Sequence, residues 1–265
     1  MSVLPGKETS VQPWRSAITD ADGQQLRIRG EAVTALMRQA SFCDVVGLLL
    51  KGGLPDAGER RLLDAILIAI ADHGAGAPSA AAARVVATGN RQAPEAAIAA
   101  GILAIGDAHG GAGLACFALI EASLQRARRE ALSLDDLVTM VVEEARQANR
   151  RLPGFGHRVY SEDPRAVALL RLADELGKSR EGVAFVRAIE KRLAASSKAI
   201  PLNVDGAIAG VLFDLGYPAL AAKLTFIIGR TAGLSAHVIE EYTRERAMRI
   251  RIPVTYDGPG PSPSD

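Results

Sequence analysis

Helix signals follow one another along the chain from Asp56 to residue 247, and no strand pattern interrupts them. Asp56 can cap a helix that has apolar positions up to Ile70 and ends near Gly74, and Pro94 suits the first turn of a helix over 96–108. Further helices are predicted at about 111–129, 134–150, 164–177, 181–196, 204–215 and 219–247. Because a parallel sheet needs strands that alternate with helices, these signals predict an all-α protein with minimal β-structure.

The two ends of the chain carry different signals. Segment 17–30 alternates apolar and polar residues around a turn pair and predicts a short hairpin. Residues 259–265 are rich in proline, serine and glycine, which favours a disordered tail.

Charge and cysteine usage exclude several classes of protein. The 31 Lys and Arg residues nearly balance the 30 Asp and Glu residues, and a net charge of +1 predicts no nucleic-acid and no membrane partner. The longest uncharged apolar run, Ala96–Gly106, is far shorter than the ~20 residues of a membrane span. Cys43 and Cys116 lie in apolar runs without metal-ligand spacing, so we expect a reducing, cytoplasmic location and no metal site. The first residues lack the apolar core of a signal peptide.

Three of the four histidines stand in glycine-containing helix junctions. These are His73, His109 and His157. Glycine lets a ligand approach the backbone closely, and an imidazole can donate a hydrogen bond to an oxygen that gains charge. For a lone histidine a helix cap or a bond to a backbone carbonyl is favoured by about three to one. His237, on an apolar helical stretch, is interpreted as structural.

One acid and three arginines have similarly restrictive surroundings. Asp205 stands at a predicted helix start, where it could serve as an acid or simply as the N-cap. Arg165, Arg230 and Arg251 could bind carboxylates or phosphates, although each taken singly could also form a surface ion pair.

Taken together, these segments resemble the citrate synthase superfamily. The resemblance rests on Gly154–Tyr160 with Asp163–Ala166, on Asn203–Asp205, and on Gly229–Thr231 with the pair at 236–237, and it spans about residues 16–258. It implies a two-domain helical fold. The large domain, with the dimer interface, is expected over 1–110 and 220–258, and the small domain over 111–219.

The resemblance also implies roles for single residues. Asp205 resembles the carboxylate that moves the proton at the acetyl-CoA methyl carbon, His109 the donor to the thioester enolate, and His157 the donor to the carbonyl oxygen of the 2-oxo acid. Substrate carboxylates are expected to bind His73, Arg165, Arg230 and Arg251. The family places the last of these in the partner subunit's site, which implies an obligate homodimer. Arg158 and Lys198 are weak candidates for coenzyme A binding, and no cofactor is expected beyond the coenzyme A thioester that serves as substrate.

One spacing favours a lyase over a synthase. Only 40 residues, 31–70, separate Arg29-Gly30 from the Ala71-Asp-His73 element, a compact layout that resembles citryl-CoA lyases. We therefore expect citryl-CoA cleavage to acetyl-CoA and oxaloacetate. The alternatives are citrate synthase or a related condensing enzyme for a 2-oxo acid and an acyl-CoA, and a non-catalytic paralogue that binds coenzyme A or a carboxylate. The physiological direction, the stereochemistry and any effector stay open at this point.

Overall fold

The structure is a computed structural model that describes residues 14–21, 23–157, 160–195 and 200–260. Within those residues it has eleven α-helices and three short strands, which confirms the predicted all-α class. None of the described helices is both long enough and apolar enough to cross a membrane. The chain divides into two compact units, one up to Arg60 and one from Arg61 onward.

The first unit contains a small antiparallel sheet and two helices. Its elements are β1 (Thr19–Ala21), β2 (Leu26–Ile28), β3 (Glu31–Ala32), α1 (Val33–Gln39) and α2 (Phe42–Lys51). Thr19 pairs with Ile28 and Ala21 with Leu26, which confirms the predicted hairpin. A capping box starts α2, because the Ser41 hydroxyl accepts from the Asp44 N–H while the Asp44 carboxylate accepts from the Ser41 N–H.

The other helices follow the predicted order with two exceptions. They are α3 (Ala57–Ile70), α4 (Pro78–Gly89), α5 (Pro94–Leu103), α6 (Ala112–Glu130), α7 (Leu134–Gln147), α8 (Pro164–Glu175), α9 (Glu181–Ala194), α10 (Val204–Asp214) and α11 (Ala221–Arg244). Helix α4 was not predicted. The prediction that α5 continues to residue 108 is wrong, because Gly106 and His109 exchange backbone hydrogen bonds and close a loop there.

Two groups of helices position the site. Helix α10 is buried along most of its length and packs against α6, α8 and α9, as expected for a helix that is apolar on all sides. Helices α4, α5 and α11 pack through a small-residue core that contains Ala80, Ala83 and Leu234. The predicted division into a large domain (1–110 and 220–258) and a small domain (111–219) stays a prediction. Of the expected tail, residues 261–265 lie outside the described residues.

Candidate active site

Asp205 lies in the first turn of α10, and its carboxylate does not cap the helix. The N-cap is Asn203, whose side-chain oxygen accepts from the Gly206 N–H at 3.1 Å, so the N-cap interpretation of Asp205 is wrong. Within the described parts of the chain, no hydrogen-bond partner of the Asp205 carboxylate is found. Burial raises its pKa above the ordinary value of 3.8, although the charges of Arg165 and Arg230 act against that shift.

Arg230, in the middle of α11, is a buried cation. The residue has no exposed surface. Its Nε donates to the Ile70 carbonyl at 3.0 Å, one Nη donates to the Ser79 hydroxyl at 3.2 Å, and the guanidinium lies 4.8 Å from the centre of the Phe226 ring. No carboxylate of the described residues forms an ion pair with it. Because a buried charge is costly without a partner, this arrangement favours an anionic ligand.

His73 lies between two guanidinium groups. Its Nδ1 contacts Arg230, and its Nε2 lies 3.0 Å from Arg165 Nη1. Burial, followed by the charges of the two arginines, lowers the pKa of His73 to about 4, so the ring is neutral at pH 7. A neutral imidazole accepts at one nitrogen only, so one of the two contacts brings two N–H donors together. An oxygen anion inserted at that contact would accept from both donors.

Asp163 fixes the second arginine of this cluster. It is the N-cap of α8, it is fully buried, and its carboxylate accepts from Arg165 Nε at 3.0 Å and from Nη2 at 2.9 Å. The same carboxylate accepts from the Val204 N–H at 2.9 Å, next to Asp205. Burial acts to raise the pKa of Asp163, but the hydrogen bonds and charge of Arg165 outweigh it and the pKa falls below 3.8. One carboxylate therefore joins the guanidinium of α8 to the first turn of α10.

His109 is oriented by the start of α4. The Ser79 hydroxyl lies 2.9 Å from His109 Nε2, and the Ser79 N–H donates to the same nitrogen at 3.4 Å. Since this hydroxyl accepts from Arg230, its own proton is free to point at His109. These donors assign the ring proton to Nδ1, which has no hydrogen-bond partner in the described part of the chain. Burial lowers the pKa of His109, and the charge of Arg230 adds to the effect, so the ring is neutral.

The loop that carries His157 is held against the start of α10. Gly156 N–H donates to the Pro201 carbonyl at 2.7 Å, and the Asn203 amide donates to the Gly156 carbonyl at 3.0 Å. Gly154, at φ +84°, approaches so closely that an added Cβ would lie 2.7 Å from the Cα of Gly206. The loop geometry therefore requires glycine at 154.

A cavity of about 640 Å³ lies beside this loop. Four arginines line it and no acidic residue does, among the lining residues that the structure describes. His157 is one of the residues that line it, and its Nδ1 accepts from the Tyr160 N–H at 3.0 Å. The four arginines are Arg146, Arg150, Arg151 and Arg192. Such a wall is suited to an anionic ligand of considerable size.

A family model, the C-terminal domain of citrate synthase, matches residues 55–251. The chain belongs to the citrate synthase family. Putative citrate synthase 2 of Mycobacterium tuberculosis is 34% identical over 214 residues, which cover 79% of this chain and 54% of the relative. Citrate/2-methylcitrate synthase of Bacillus subtilis is 32% identical over 217 residues, which cover 80% of this chain and 55% of the relative. The chain thus spans about half the length of these curated relatives.

A solved structure of similar length is also similar in fold. Citryl-CoA lyase from Hydrogenobacter thermophilus matches with a TM-score of 0.86 and 36% identity, over 95% of this chain and 97% of that chain. The comparison covers both units of this citrate synthase family member.

The structure brings most of the predicted residues into one region of the second unit. His73, Arg165 and Arg230 are in direct contact, Ser79 links His109 to them, and Asp205 lies within electrostatic reach of both arginines. Arg251 is exposed and does not join this group. Arg158 and Lys198 lie outside the described residues.

Two residues of the site were missed by sequence reasoning. Ser79 orients His109, and its position after Pro78 at a helix start was the available signal. Asp163 was noted only as part of a motif, although the structure makes it the anchor of Arg165. No group of three or more His, Cys, Asp and Glu side chains suited to a metal ion occurs in 14–21, 23–157, 160–195 or 200–260.

Proposed function

We propose that this chain cleaves citryl-CoA to acetyl-CoA and oxaloacetate, a reaction that the same groups can also run in reverse. The proposal rests on two incompletely partnered groups in one site. Among the described residues, the buried cation Arg230 forms no ion pair with a carboxylate, and the carboxylate of Asp205 accepts no hydrogen bond. The first group needs an anion and the second is free to exchange a proton. A carboxylate of oxaloacetate supplies the anion for Arg230, and the methyl carbon of acetyl-CoA is the atom with which Asp205 exchanges its proton.

The carboxylates of the substrate bind the cation cluster. Arg165 Nη1 and Arg230 Nη2, the two guanidinium nitrogens that contact the His73 ring, are the donors offered to a substrate carboxylate. A substrate oxygen beside His73 removes the donor conflict at that ring. The site therefore gains more from an oxyanion than from water, because water leaves the charge of Arg230 uncompensated.

Three groups divide the proton transfers of the reaction between them. In cleavage, His157 takes the hydroxyl proton of the citryl group, and the electrons of the breaking C–C bond move into the thioester as an enolate. His109, neutral with its proton on Nδ1, donates to the enolate oxygen. Asp205 gives its proton to the enolate carbon, which completes acetyl-CoA, and burial that raises its pKa helps it to hold that proton.

The arginine-lined cavity is proposed as the coenzyme A site. Coenzyme A carries a diphosphate and a further phosphate on its ribose, and arginine is the side chain best matched to phosphate. His157 lines the same cavity, so a nucleotide bound there would place its thioester arm near one of the proposed reacting groups. The earlier candidates Arg158 and Lys198 border the same loops in sequence and remain part of this proposal.

The compact spacing between Arg29-Gly30 and His73 supports the lyase over the synthase. So does the likeness to the Hydrogenobacter citryl-CoA lyase, which covers nearly all of both chains. The test is to supply citryl-CoA and measure oxaloacetate, and separately to supply acetyl-CoA with oxaloacetate and measure free coenzyme A. We expect oxaloacetate in the first assay and no free coenzyme A in the second. Rapid release of free coenzyme A would overturn the lyase and favour citrate synthase.

The proposed active form is a homodimer in which Arg251 completes the partner subunit's site. Arg251 is exposed and is followed by an extended segment with three exposed apolar side chains at alternate positions, namely Ile252, Val254 and Tyr256. An alternating apolar edge of this kind suits packing on a second copy. Exposed apolar side chains also occur on α3, α5 and α11, at Ile68, Leu103 and Ile239.

Mixing two inactive variants tests this arrangement. Asp205→Asn and Arg251→Ala should each be nearly inactive alone. If Arg251 acts in the partner's site, half of the randomly mixed dimers carry one intact site, and roughly a quarter of the wild-type activity returns. No recovery after refolding the mixture would show that Arg251 does not act across a dimer.

A further inference from the structure

His237 lies on the same stripe of α11 as Arg230. Residues 230, 233 and 237 fall on one helical face, which lies against segment 70–74. Arg230 holds the Ile70 carbonyl, and Gly233 lets the segment approach so closely that an added Cβ would lie 2.1 Å from the Ala71 carbonyl oxygen. His237, the third residue on this face, contacts Asp72, which follows Ala71 in the segment.

The contacts of His237 assign its proton. Its Nδ1 lies 3.3 Å from Arg84 Nη1, which can only donate, so Nδ1 is the acceptor. Its Nε2 therefore carries the proton and donates to Asp72 Oδ1 at 2.9 Å. Arg84 itself is held by ion pairs to Glu240 and Glu241. The ring is thus fixed from both sides, and only 11% of its side chain is exposed.

Asp72 links His237 to the loop that carries His73. One of its carboxylate oxygens accepts from the Gly74 N–H at 2.8 Å, which ties Asp72 to the backbone on the far side of His73. The hydrogen bond from His237 holds this carboxylate in place. Without it, the Asp72 side chain has no side-chain donor among the described residues and can turn away from the loop.

We propose that His237 is a positioning residue that orients the His73 ring for the substrate carboxylate, acting through Asp72. The inference rests on the proposed function, because it assigns His73 to oxaloacetate. It also replaces the purely structural interpretation of His237, since the partner of the ring is the carboxylate that anchors the site loop. Loss of the hydrogen bond should weaken binding of the dicarboxylate and leave binding of the coenzyme A thioester alone.

The experiment compares three variants on α11. His237→Leu removes the donor, His237→Gln keeps an N–H that can reach Asp72, and Ser235→Ala is a matched control that loses only a hydrogen bond to the Thr231 carbonyl within the helix. We expect His237→Leu to raise the dissociation constant for oxaloacetate about 10-fold, as for a lost hydrogen bond to a charged group. We expect His237→Gln to recover most of that loss, and Ser235→Ala to bind like wild type. The KM for acetyl-CoA should stay unchanged in all three.

Two outcomes would overturn the inference. The first is an unchanged dissociation constant in His237→Leu, and the second is an equal loss in His237→Leu and His237→Gln. A double-mutant cycle with Asp72→Asn adds a check, because two residues that act in series give non-additive losses and independent residues give additive ones. If His237→Leu fails to fold, His237→Asn, whose shorter amide cannot span the same distance, takes its place. Failure of the wild type to bind oxaloacetate would instead contradict the proposed function.

Discussion

The N-termini of α8 and α10 each carry an aspartate, and the two aspartates are held in opposite ways. Asp163 caps α8 and accepts hydrogen bonds from the guanidinium of Arg165 and from the Val204 N–H. Asp205, one residue beyond Val204, accepts none from the described residues. Burial acts to raise the pKa of both carboxyls, yet the pKa of Asp163 is lowered and that of Asp205 is raised.

The difference shows how neighbouring acids acquire separate tasks. Hydrogen bonds and the charge of Arg165 outweigh burial and lower the pKa of Asp163, so it is an anion at neutral pH and gives the site a fixed scaffold. Burial is the largest influence on Asp205 and raises its pKa, so its protonated form is easier to populate than that of an exposed carboxyl group. A pair of acids whose environments move their pKa values apart is the arrangement expected when one supports the site and the other transfers protons.

Replacement of Asp205 should give the largest effect. Asp205→Asn removes the group that exchanges a proton with the substrate carbon, and we expect turnover of citryl-CoA to fall by about 10²–10⁴-fold. The free energy of unfolding should stay the same or rise, because a buried carboxyl group that lacks hydrogen-bond partners is replaced by a neutral amide of similar shape. Steady-state kinetics and urea unfolding measure the two quantities.

Helix α7 offers a matched control for this prediction. Asp135 occupies the second position of its helix, as Asp205 does in α10, but it is exposed. Asp135→Asn should leave turnover within about 2-fold of the wild type, since surface substitutions rarely disturb a distant site. Unchanged turnover in Asp205→Asn would remove the enzyme interpretation and favour the non-catalytic paralogue.

Replacement of Asp163 should affect stability and substrate affinity together. In Asp163→Asn the guanidinium of Arg165 loses its charged partner, so we expect the free energy of unfolding to fall by about 2 kcal/mol. The dissociation constant for oxaloacetate should rise about 10-fold, because Arg165 is no longer held toward His73. Urea unfolding and titration calorimetry provide the measurements. Asp174→Asn, which breaks an exposed ion pair with Arg187, should change the unfolding free energy by less than about 1 kcal/mol.

Most of the fold could be predicted because many of its helices begin at residues that typically cap helices. Asp163-Pro164 and Ser133 mark helix starts in the sequence, and the structure has caps at both. Helix α4 was missed because its buried face is rich in alanine. Ala80, Ala83 and Ala87 have helical spacing, but the half-buried positions 81 and 82 are alanine too, so no apolar stripe stands out.

The site residues, too, were predicted only in part. Short motifs pointed to His73, Arg165 and Arg230, because glycine, proline and charged residues stand close together there. The partners that set their states come from distant segments, as when Ser79 of α4 meets His109 or when His237 of α11 meets Asp72. Periodicity along one segment carries no information about such contacts, which only the packing of the helices creates.

The smallest expected effect is a difference in pH dependence between the two aspartate variants. The lowered pKa of Asp163 contributes stability that is present above 3.8 and is lost as the pH falls through the folded-state value. The raised pKa of Asp205 contributes stability that is present below 3.8 and is lost as the pH rises through the folded-state value. The wild type should therefore lose its advantage over Asp163→Asn on acidification, while Asp205→Asn gains on the wild type as the pH rises. Urea unfolding between about pH 3 and 6 measures both differences, and slopes of the same sign for the two variants would contradict the opposite states of the two carboxyls.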